Sequence, residues 1–191
     1  AGTGGSGTAV ARGRLSGLSL TDVKVIFRQF PKVAGDGHFG SRLVFGNDKT
    51  LFVTLGERQK GSPAQDPTTH LGKVIRIAPD GSVPKDNPFV GRKDAKPEIW
   101  SYGHRNVQGL ALRPGTSELW TAEHGTDRDD EVNLVVKGAN YGWDPVPGYN
   151  ESTPMTDLTK FPSATPAMWS SGFPTVATSG ATFLTDPRWG A

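Results

Sequence analysis

Short apolar runs recur along this chain, and each run is bounded by turn residues. Valine, isoleucine and aromatic side chains are frequent within them, which is typical of β-strands. Strands are therefore predicted at residues 23–27, 42–45, 51–55, 73–77, 109–112 and 118–122. No segment repeats apolar residues at intervals of three and four over a dozen positions, which is the pattern of an amphipathic helix. The pattern predicts an all-β chain.

Turn residues separate these strands. Gly46-Asn47-Asp48 and Pro79-Asp80-Gly81 combine the residue types that favour tight turns, so both are predicted as hairpin turns. A longer stretch, 153–174, is rich in Pro, Ser and Thr and carries Met168-Trp169. This stretch is predicted to be a long ordered loop on one face, where binding residues are common.

A glycine followed by a strand recurs at Gly40, Gly109 and Gly180, at a spacing of about 70 residues. In the first two copies a turn, a second strand and a polar segment follow, at 56–58 and 123–125. Such a unit is typical of a β-propeller blade. Propellers close with about four to eight blades, and this chain holds roughly three units. Residues 1–191 are therefore expected to form part of a longer propeller, or a domain that a second piece completes.

Composition narrows the function classes. The 191 residues include 25 Gly and 15 Pro, more than a helical bundle would tolerate, and the net charge is only +2. The sequence has no stripe of Lys and Arg of the kind that binds nucleic acid. It also has no apolar run long enough to span a membrane. Cysteine is absent, so disulfides and thiol catalysis are excluded.

Candidate chemistry lies in the segments that flank the strands. His38 stands in a glycine-rich loop and could act as a general base, although a loop histidine is more often structural. Arg105, Asn106 and Gln108 occupy the matching place one unit later. A guanidinium and two amides suit a flat ligand with carbonyl and carboxylate oxygens, and the alternative is a network that satisfies the loop backbone.

Two further segments offer oxygen ligands. Backbone carbonyls in 124–127 could bind Ca²⁺, and 147–151 could form a second site of two carbonyls and one carboxylate. Neither segment has EF-hand spacing, and a solvated acidic loop is the alternative for the first. Trp143 is expected to pack between blades rather than to stack on a ligand.

An ordered set of motifs carries a family resemblance. The set comprises Gly103-His104-Arg105-Asn106-x-Gln108-Gly109-Leu110, Asp129-Asp130-Glu131-x-Asn133, Gly138-x-Asn140-Tyr141-Gly142-Trp143, His38-Phe39-Gly40-x-Arg42-Leu43-Val44, Gly72-Lys73-Val74-x-Arg76 and Pro84-x-Asp86-Asn87-Pro88. From about residue 8 to its end, the chain resembles the soluble glucose/sorbosone dehydrogenases. These are aldose sugar dehydrogenases that depend on pyrroloquinoline quinone (PQQ).

The resemblance implies a six-bladed propeller of four-stranded antiparallel blades, with PQQ and Ca²⁺ near the axis on one face. Residues 1–191 would then be a partial propeller domain from which the N-terminal and C-terminal blades are absent. His38 would be the catalytic base and Arg105 the residue that contacts the quinone oxygens. The further residues implied are cofactor contacts at Asn106, Gln108 and His124, carbonyl ligands of the cofactor calcium at Gly125 and Thr126, and a second calcium site at Pro147, Tyr149 and Glu151. In glucose-oxidising members an acidic residue precedes the catalytic histidine, whereas Gly37 does so here.

The activity implied is oxidation of aldose sugars at C1 to the lactone, with hydride transfer to PQQ and an external electron acceptor. A periplasmic or secreted location is expected. The open blade edges would be covered by the missing blades or by a second copy in a homodimer. The main alternative is a non-catalytic extracellular propeller that binds a partner, but such modules are usually rich in cysteine. A calcium lactonase is a third reading, and the inward carboxylates that it needs are not found at matched positions.

Overall fold

The computed structural model describes residues 2–145 and 153–189, which are almost entirely strands, turns and loops. In these ranges the only helical segments are two 3₁₀ turns of three residues each. The strands are β1 (Ala9–Ser16), β2 (Ser19–Arg28), β3 (Leu43–Phe45), β4 (Leu51–Leu55), β5 (Lys73–Ile77), β6 (Ile99–Tyr102), β7 (Val107–Leu112), β8 (Leu119–Glu123), β9 (Glu131–Leu134) and β10 (Trp169–Ser170). The predicted all-β class is confirmed.

The strands form one hairpin and two four-stranded sheets. β1 and β2 pair as a hairpin, β3 to β6 form a sheet in chain order, and β7 to β10 form a second one. All pairs are antiparallel. The two sheets, here called the first blade (43–102) and the second blade (107–170), match the predicted four-stranded antiparallel blades.

Alternation along β4 explains how the first blade packs on both faces. Successive side chains of a strand point to opposite faces. Leu51, Val53 and Leu55 pack with Val10 and Phe27 of the hairpin on one side. On the other side a second cluster contains Phe52, Val74, Leu110, Leu119 and Val135, which joins the first blade to the second. The first blade is therefore covered on both faces.

The predicted turns have different outcomes. Gly46-Asn47-Asp48 joins β3 to β4, and the Gly46 N–H donates to the Thr50 carbonyl at 2.9 Å. Residues 79–81 also make a tight turn, closed by Ala78 N–H to the Ser82 carbonyl at 2.8 Å. This second turn is not a hairpin, because the chain runs on to residue 99 before β6 begins.

The glycine spacing does not mark equivalent positions. Gly40 precedes β3 with a φ of +62°, whereas Gly109 lies inside β7. The third copy, around Gly180, has no strand assigned. Trp143 is 1% exposed and packs with Ala64 and Met155 between the loops, which agrees with its expected packing role.

One end of both blades gathers the loops that matter for function. Because neighbouring strands are antiparallel, the segments 38–42, 56–72, 103–106 and 124–130 all meet at the same end, here called the upper end. The predicted site residues lie on these segments, apart from Gln108 in β7 and those outside the described ranges. Within the described ranges, no helix is long and apolar enough to cross a membrane.

Candidate active site

His38 forms a pair with a buried carboxylate at the upper end of the first blade. The His38 Nδ1 is hydrogen-bonded to Oε1 of Glu57, which lies two residues beyond β4. The His38 side chain is 12% exposed and that of Glu57 is 1% exposed. Since an ionised carboxylate can only accept a hydrogen bond, the Nδ1 atom carries the proton, and the lone pair of the neutral imidazole lies on Nε2. No residue in the described ranges hydrogen-bonds this Nε2 atom.

Glu57 is held in its charged form. Burial alone would raise the pKa of Glu57, but hydrogen bonds from His38, from the Gly61 N–H and from the Gln59 N–H hold that pKa below its ordinary value. The Gln59 N–H lies 2.8 Å from Oε1, and the Gly61 N–H donates to Oε2. The pair therefore consists of an imidazole beside an ionised carboxylate.

Arg58 fixes the loop that carries His38. Its buried guanidinium donates to the carbonyls of Gly37 at 2.8 Å and Ser6 at 2.9 Å and also to the carbonyl of Gly35. It also lies over the ring of Phe39, 3.7 Å from the centroid. The planar guanidinium binds three carbonyls at once, and this fixes the position of the loop that carries His38.

Glycine 56 allows the close approach of the two loops. A Cβ atom at this position would lie 2.1 Å from the His38 carbonyl oxygen, which no side chain can tolerate. His38 itself has a φ of +50°. This is uncommon for a residue other than glycine, and such outliers cluster at functional sites.

Arg105 lies beside the His38–Glu57 pair. Its backbone carbonyl accepts a hydrogen bond from the Glu57 N–H at 2.9 Å, which connects the loop before the second blade, 103–106, to the pair. Its guanidinium donates to the His124 carbonyl at 3.0 Å and lies 5.6 Å from the centroid of the Trp143 ring. The structure thus brings together three predicted residues, His38, Arg105 and His124.

Asn106 and Gln108 accept hydrogen bonds from neighbouring segments of the protein. The Asn106 Oδ1 accepts the Gly40 N–H at 3.2 Å, and the Gln108 carbonyl accepts Arg42 Nε at 2.9 Å. The Gln108 side-chain oxygen accepts the Ser179 hydroxyl at 3.2 Å. These oxygens are therefore engaged by the protein, and cofactor contact by the two residues stays a prediction.

The predicted carbonyl ligands lie on a tight turn after β8. The Gly125 N–H donates to Asp130 Oδ1 at 2.7 Å, and the Gly125 carbonyl accepts His124 Nδ1 at 2.8 Å. Asp130 is buried, which alone raises its pKa, but hydrogen bonds from Gly125 and from residues 175–178 hold the pKa below its ordinary value. The Thr126 hydroxyl donates to the Thr153 carbonyl at 3.2 Å.

A second histidine–glutamate pair occupies the matching place in the second blade. His104 Nδ1 lies 3.0 Å from Glu123 Oε2, and both side chains are buried. His104 Nε2 lies 2.9 Å from the Ser101 hydroxyl, and the ring stacks on Tyr141 at 4.5 Å. Both ring nitrogens of His104 are therefore engaged inside the protein.

A further carboxyl lies against this second pair. Glu131 is the register partner of Glu123 across β8 and β9. Burial and the charge of Glu123 raise the pKa of Glu131 to about 8, although Asn133 and Thr156 donate to it. Glu131 is therefore mostly protonated at neutral pH.

Sequence reasoning missed Glu57 and Arg58 as parts of the site. A signal was present: His38–Glu57 and His104–Glu123 share the same separation of 19 residues. The polar segments at 56–58 and 123–125 carry these glutamates. Three predicted metal ligands, Pro147, Tyr149 and Glu151, lie outside the described residues.

The donor set present at the upper end fits the implied groups. No cluster of three or more His, Asp or Glu side chains suited to a metal occurs in residues 2–145 and 153–189. A calcium ion would therefore be coordinated by backbone carbonyl oxygens, which are common Ca²⁺ ligands. The Gly125 carbonyl oxygen accepts one hydrogen bond from His124 and has a second lone pair for a metal ion. For a planar anionic cofactor, the fitting feature is the nearly buried guanidinium of Arg105, a residue whose backbone carbonyl is hydrogen-bonded to Glu57.

Comparison with known proteins places this chain in a family. The profile of the glucose/sorbosone dehydrogenase family matches residues 1–191. An aldose sugar dehydrogenase of Escherichia coli is 47% identical over 142 residues, covering 73% of this chain and 38% of that protein. The chain spans less than half the length of the first two curated relatives, 47% and 38%.

Solved structures agree with the sequence relatives. The apo-form of the soluble aldose sugar dehydrogenase of E. coli superposes with a TM-score of 0.85 at 38% identity, over 96% of this chain and 55% of that one. The PQQ-bound aldose sugar dehydrogenase of Streptomyces coelicolor gives a TM-score of 0.70 at 33% identity, over 89% and 46%. The chain belongs to the glucose/sorbosone dehydrogenase family, and its two four-stranded blades match part of the propeller of these solved dehydrogenases.

Proposed function

We propose that the protein containing this chain is a PQQ- and Ca²⁺-dependent aldose sugar dehydrogenase that oxidises the sugar at C1 to the lactone. Family membership and the named activity of the E. coli and S. coelicolor relatives support this proposal. The observation that carries it is the His38–Glu57 pair, because it provides a base at the upper end of the blades.

His38 removes the proton from the anomeric hydroxyl. Its Nδ1 proton is held by Glu57, so Nε2 is the basic nitrogen that faces the sugar. Once Nε2 is protonated, the ring is a cation beside the ionised Glu57, and this attraction stabilises the charge that develops. Arg58 keeps the loop in place, so the base needs no rearrangement.

Arg105, Asn106, Gln108 and His124 would hold the cofactor. PQQ supplies the acceptor for the hydride from C1, and Ca²⁺ supplies a Lewis acid that polarises the quinone. The guanidinium of Arg105 supplies positive charge in a nearly dehydrated place, where it acts more strongly than in water. The carbonyls of Gly125 and Thr126 would be protein ligands of the cofactor calcium, and Pro147, Tyr149 and Glu151 those of a second, structural calcium.

The surroundings of the enzyme follow from the same proposal. An aldose is the substrate, and an external acceptor removes the electrons. We place the protein in the periplasm or outside the cell, and its remaining blades complete the site.

Dye-linked oxidation of an aldose panel by the full-length apoprotein tests the proposal. The expected result is turnover only when both PQQ and Ca²⁺ are added, and a chelator added before PQQ should prevent reconstitution. Turnover in metal-free buffer would contradict the calcium requirement. Lack of turnover together with no PQQ binding by absorbance titration would contradict the whole proposal and favour a binding module.

A further inference from the structure

Gln59 lies in a strained loop beside the catalytic pair. Arg58 and Gln59 have φ values of +63° and +57°, and two consecutive left-handed residues other than glycine are uncommon. The conformation directs the Gln59 N–H to Glu57 Oε1 at 2.8 Å. The same oxygen accepts a hydrogen bond from His38 Nδ1, so Glu57 Oε1 binds both the backbone of Gln59 and the ring of His38.

The side chain of Gln59 covers the residue before His38. A Cβ atom at Gly37 would lie 2.6 Å from Cδ, 2.7 Å from Oε1 and 3.0 Å from Nε2 of Gln59. The amide therefore occupies the space that a side chain at position 37 would fill. Glycine at position 37 makes room for it.

The amide is available to a ligand. Gln59 is exposed, and its side chain makes no hydrogen bond to any residue that the structure describes. An amide offers one acceptor oxygen and two N–H donors, and it carries no charge. A neutral hydroxyl group, which both donates and accepts, matches these groups.

We propose that Gln59 binds the C2 hydroxyl of the aldose and selects sugars by the presence and configuration of that hydroxyl. The inference rests on the proposed function, since His38 then faces the hydroxyl on C1. A group beside His38 meets the substituents next to C1, which are the ring oxygen and the C2 hydroxyl. Only the hydroxyl can both donate a hydrogen bond to the amide oxygen and accept one from the amide N–H, because the ring oxygen has no proton to donate.

The test uses the full-length protein with PQQ and Ca²⁺, and two variants at position 59. Gln59→Gly removes the amide without steric cost at a positive φ, and Gln59→Asn keeps an amide in a residue that tolerates this φ. We expect Gln59→Gly to lower kcat/KM for D-glucose roughly tenfold and to change 2-deoxy-D-glucose less than about twofold, since one hydrogen bond is lost with only the first sugar. Gln59→Asn should lie between this variant and the parent.

The variant Gly37→Ala tests the same contact independently. The new methyl group displaces the Gln59 amide, so the same loss of discrimination is expected, and adding Gly37→Ala to Gln59→Gly should cause no further loss. Equal kcat/KM losses for D-glucose and 2-deoxy-D-glucose in Gln59→Gly would overturn the proposal, as would additive effects in the double variant. Thermal melting confirms that each variant is folded.

A binding measurement separates this inference from the proposed function. Titration of D-glucose into the full-length apoprotein, followed by saturation-transfer NMR, needs no turnover. If the parent oxidises no aldose, the proposed function fails, and weaker glucose binding by Gln59→Gly than by the parent still supports the contact. Equal binding by both proteins, or no binding by either, overturns it.

Discussion

The two blades carry the same pair of residues in different surroundings. His38–Glu57 and His104–Glu123 have the same separation in the chain, and in both pairs Nδ1 faces a buried carboxylate. They differ at the other ring nitrogen. Nε2 of His104 is bonded to Ser101 and the ring is covered by Tyr141, whereas the side chain of His38 remains 12% exposed at the upper end. The same pair geometry is therefore enclosed in the second blade and partly accessible in the first. In the proposed function, this access to Nε2 is what separates a base from a packing residue.

The glutamates also differ in what they hold. Oε1 of Glu123 accepts the backbone N–H groups of Arg105 and Asn106, so this carboxylate shapes the loop that presents Arg105. Glu57 accepts N–H groups from its own loop, at Gln59 and Gly61. Another carboxyl, that of Glu131, lies opposite Glu123 in the strand register of the second pair. Under the proposed function, the second pair would position the residues that hold the cofactor, and the first pair would act on the sugar.

Glu57→Gln is expected to have the largest effect on turnover. A glutamine amide can donate to Nδ1, which places the His38 proton on Nε2 and removes the base. We expect kcat to fall by about 10²- to 10⁴-fold, as for loss of tautomer control in other histidine bases. Steady-state kinetics at saturating PQQ, corrected for the folded fraction, measures this. A kcat close to that of the parent would show that the carboxylate does not orient the base.

His104→Phe is expected to have the largest effect on stability. The ring volume is kept, but Glu123 and Ser101 each lose a buried partner. Breaking a buried pair of this kind costs about 3–5 kcal/mol in the free energy of unfolding. Denaturant unfolding measures the loss, and folded molecules should keep turnover within about tenfold of the parent. A stable but inactive variant would mean that the two pairs do not differ as described.

Glu131→Gln is expected to change how stability depends on pH. The folded-state pKa of Glu131 is raised to about 8, above its unfolded value, so its contribution is fully present below the unfolded pKa and is lost as pH rises through 8. Between pH 5 and pH 9 the parent should lose on the order of 3 kcal/mol more than the variant. Urea unfolding at both pH values measures the difference. Parallel pH curves for the two proteins would contradict the raised pKa.

Arg58→Lys is expected to have the smallest effect. A lysine ammonium cannot hold three carbonyls in one plane, so the loop that carries His38 loosens while the charge is kept. We expect kcat to fall by about three- to tenfold with little change in sugar KM. Kinetics on D-glucose checks this, and an unchanged kcat would mean that the loop needs no such support.

Strand positions were predictable where the strand is buried. β4 and β5 are buried at every position, and both are rich in β-branched and other apolar residues, although Lys73 and Arg76 interrupt the apolar run of β5. β1 was missed because its outer residues are exposed and include Arg12 and Arg14, and β10 was missed because it has two residues. Pairing with a neighbour, rather than local pattern, makes these segments strands.

The site was predictable only in part. His38, Arg105 and His124 were identified from motifs, and the structure brings them to one place. Glu57 looked like an ordinary polar loop residue, because its burial depends on loops that meet only in the folded chain. The room that Gly37 leaves for Gln59 also depends on the meeting of two loops, so no local pattern reveals it.

The most direct test of the account is His38→Ala in the full-length protein, with PQQ binding and aldose oxidation measured on the same sample. We expect PQQ binding close to that of the parent in the presence of Ca²⁺ and a loss of turnover of at least about 10²-fold, because only the base is removed. Turnover similar to that of the parent would contradict the role of His38 and, with it, the distinction between the two pairs.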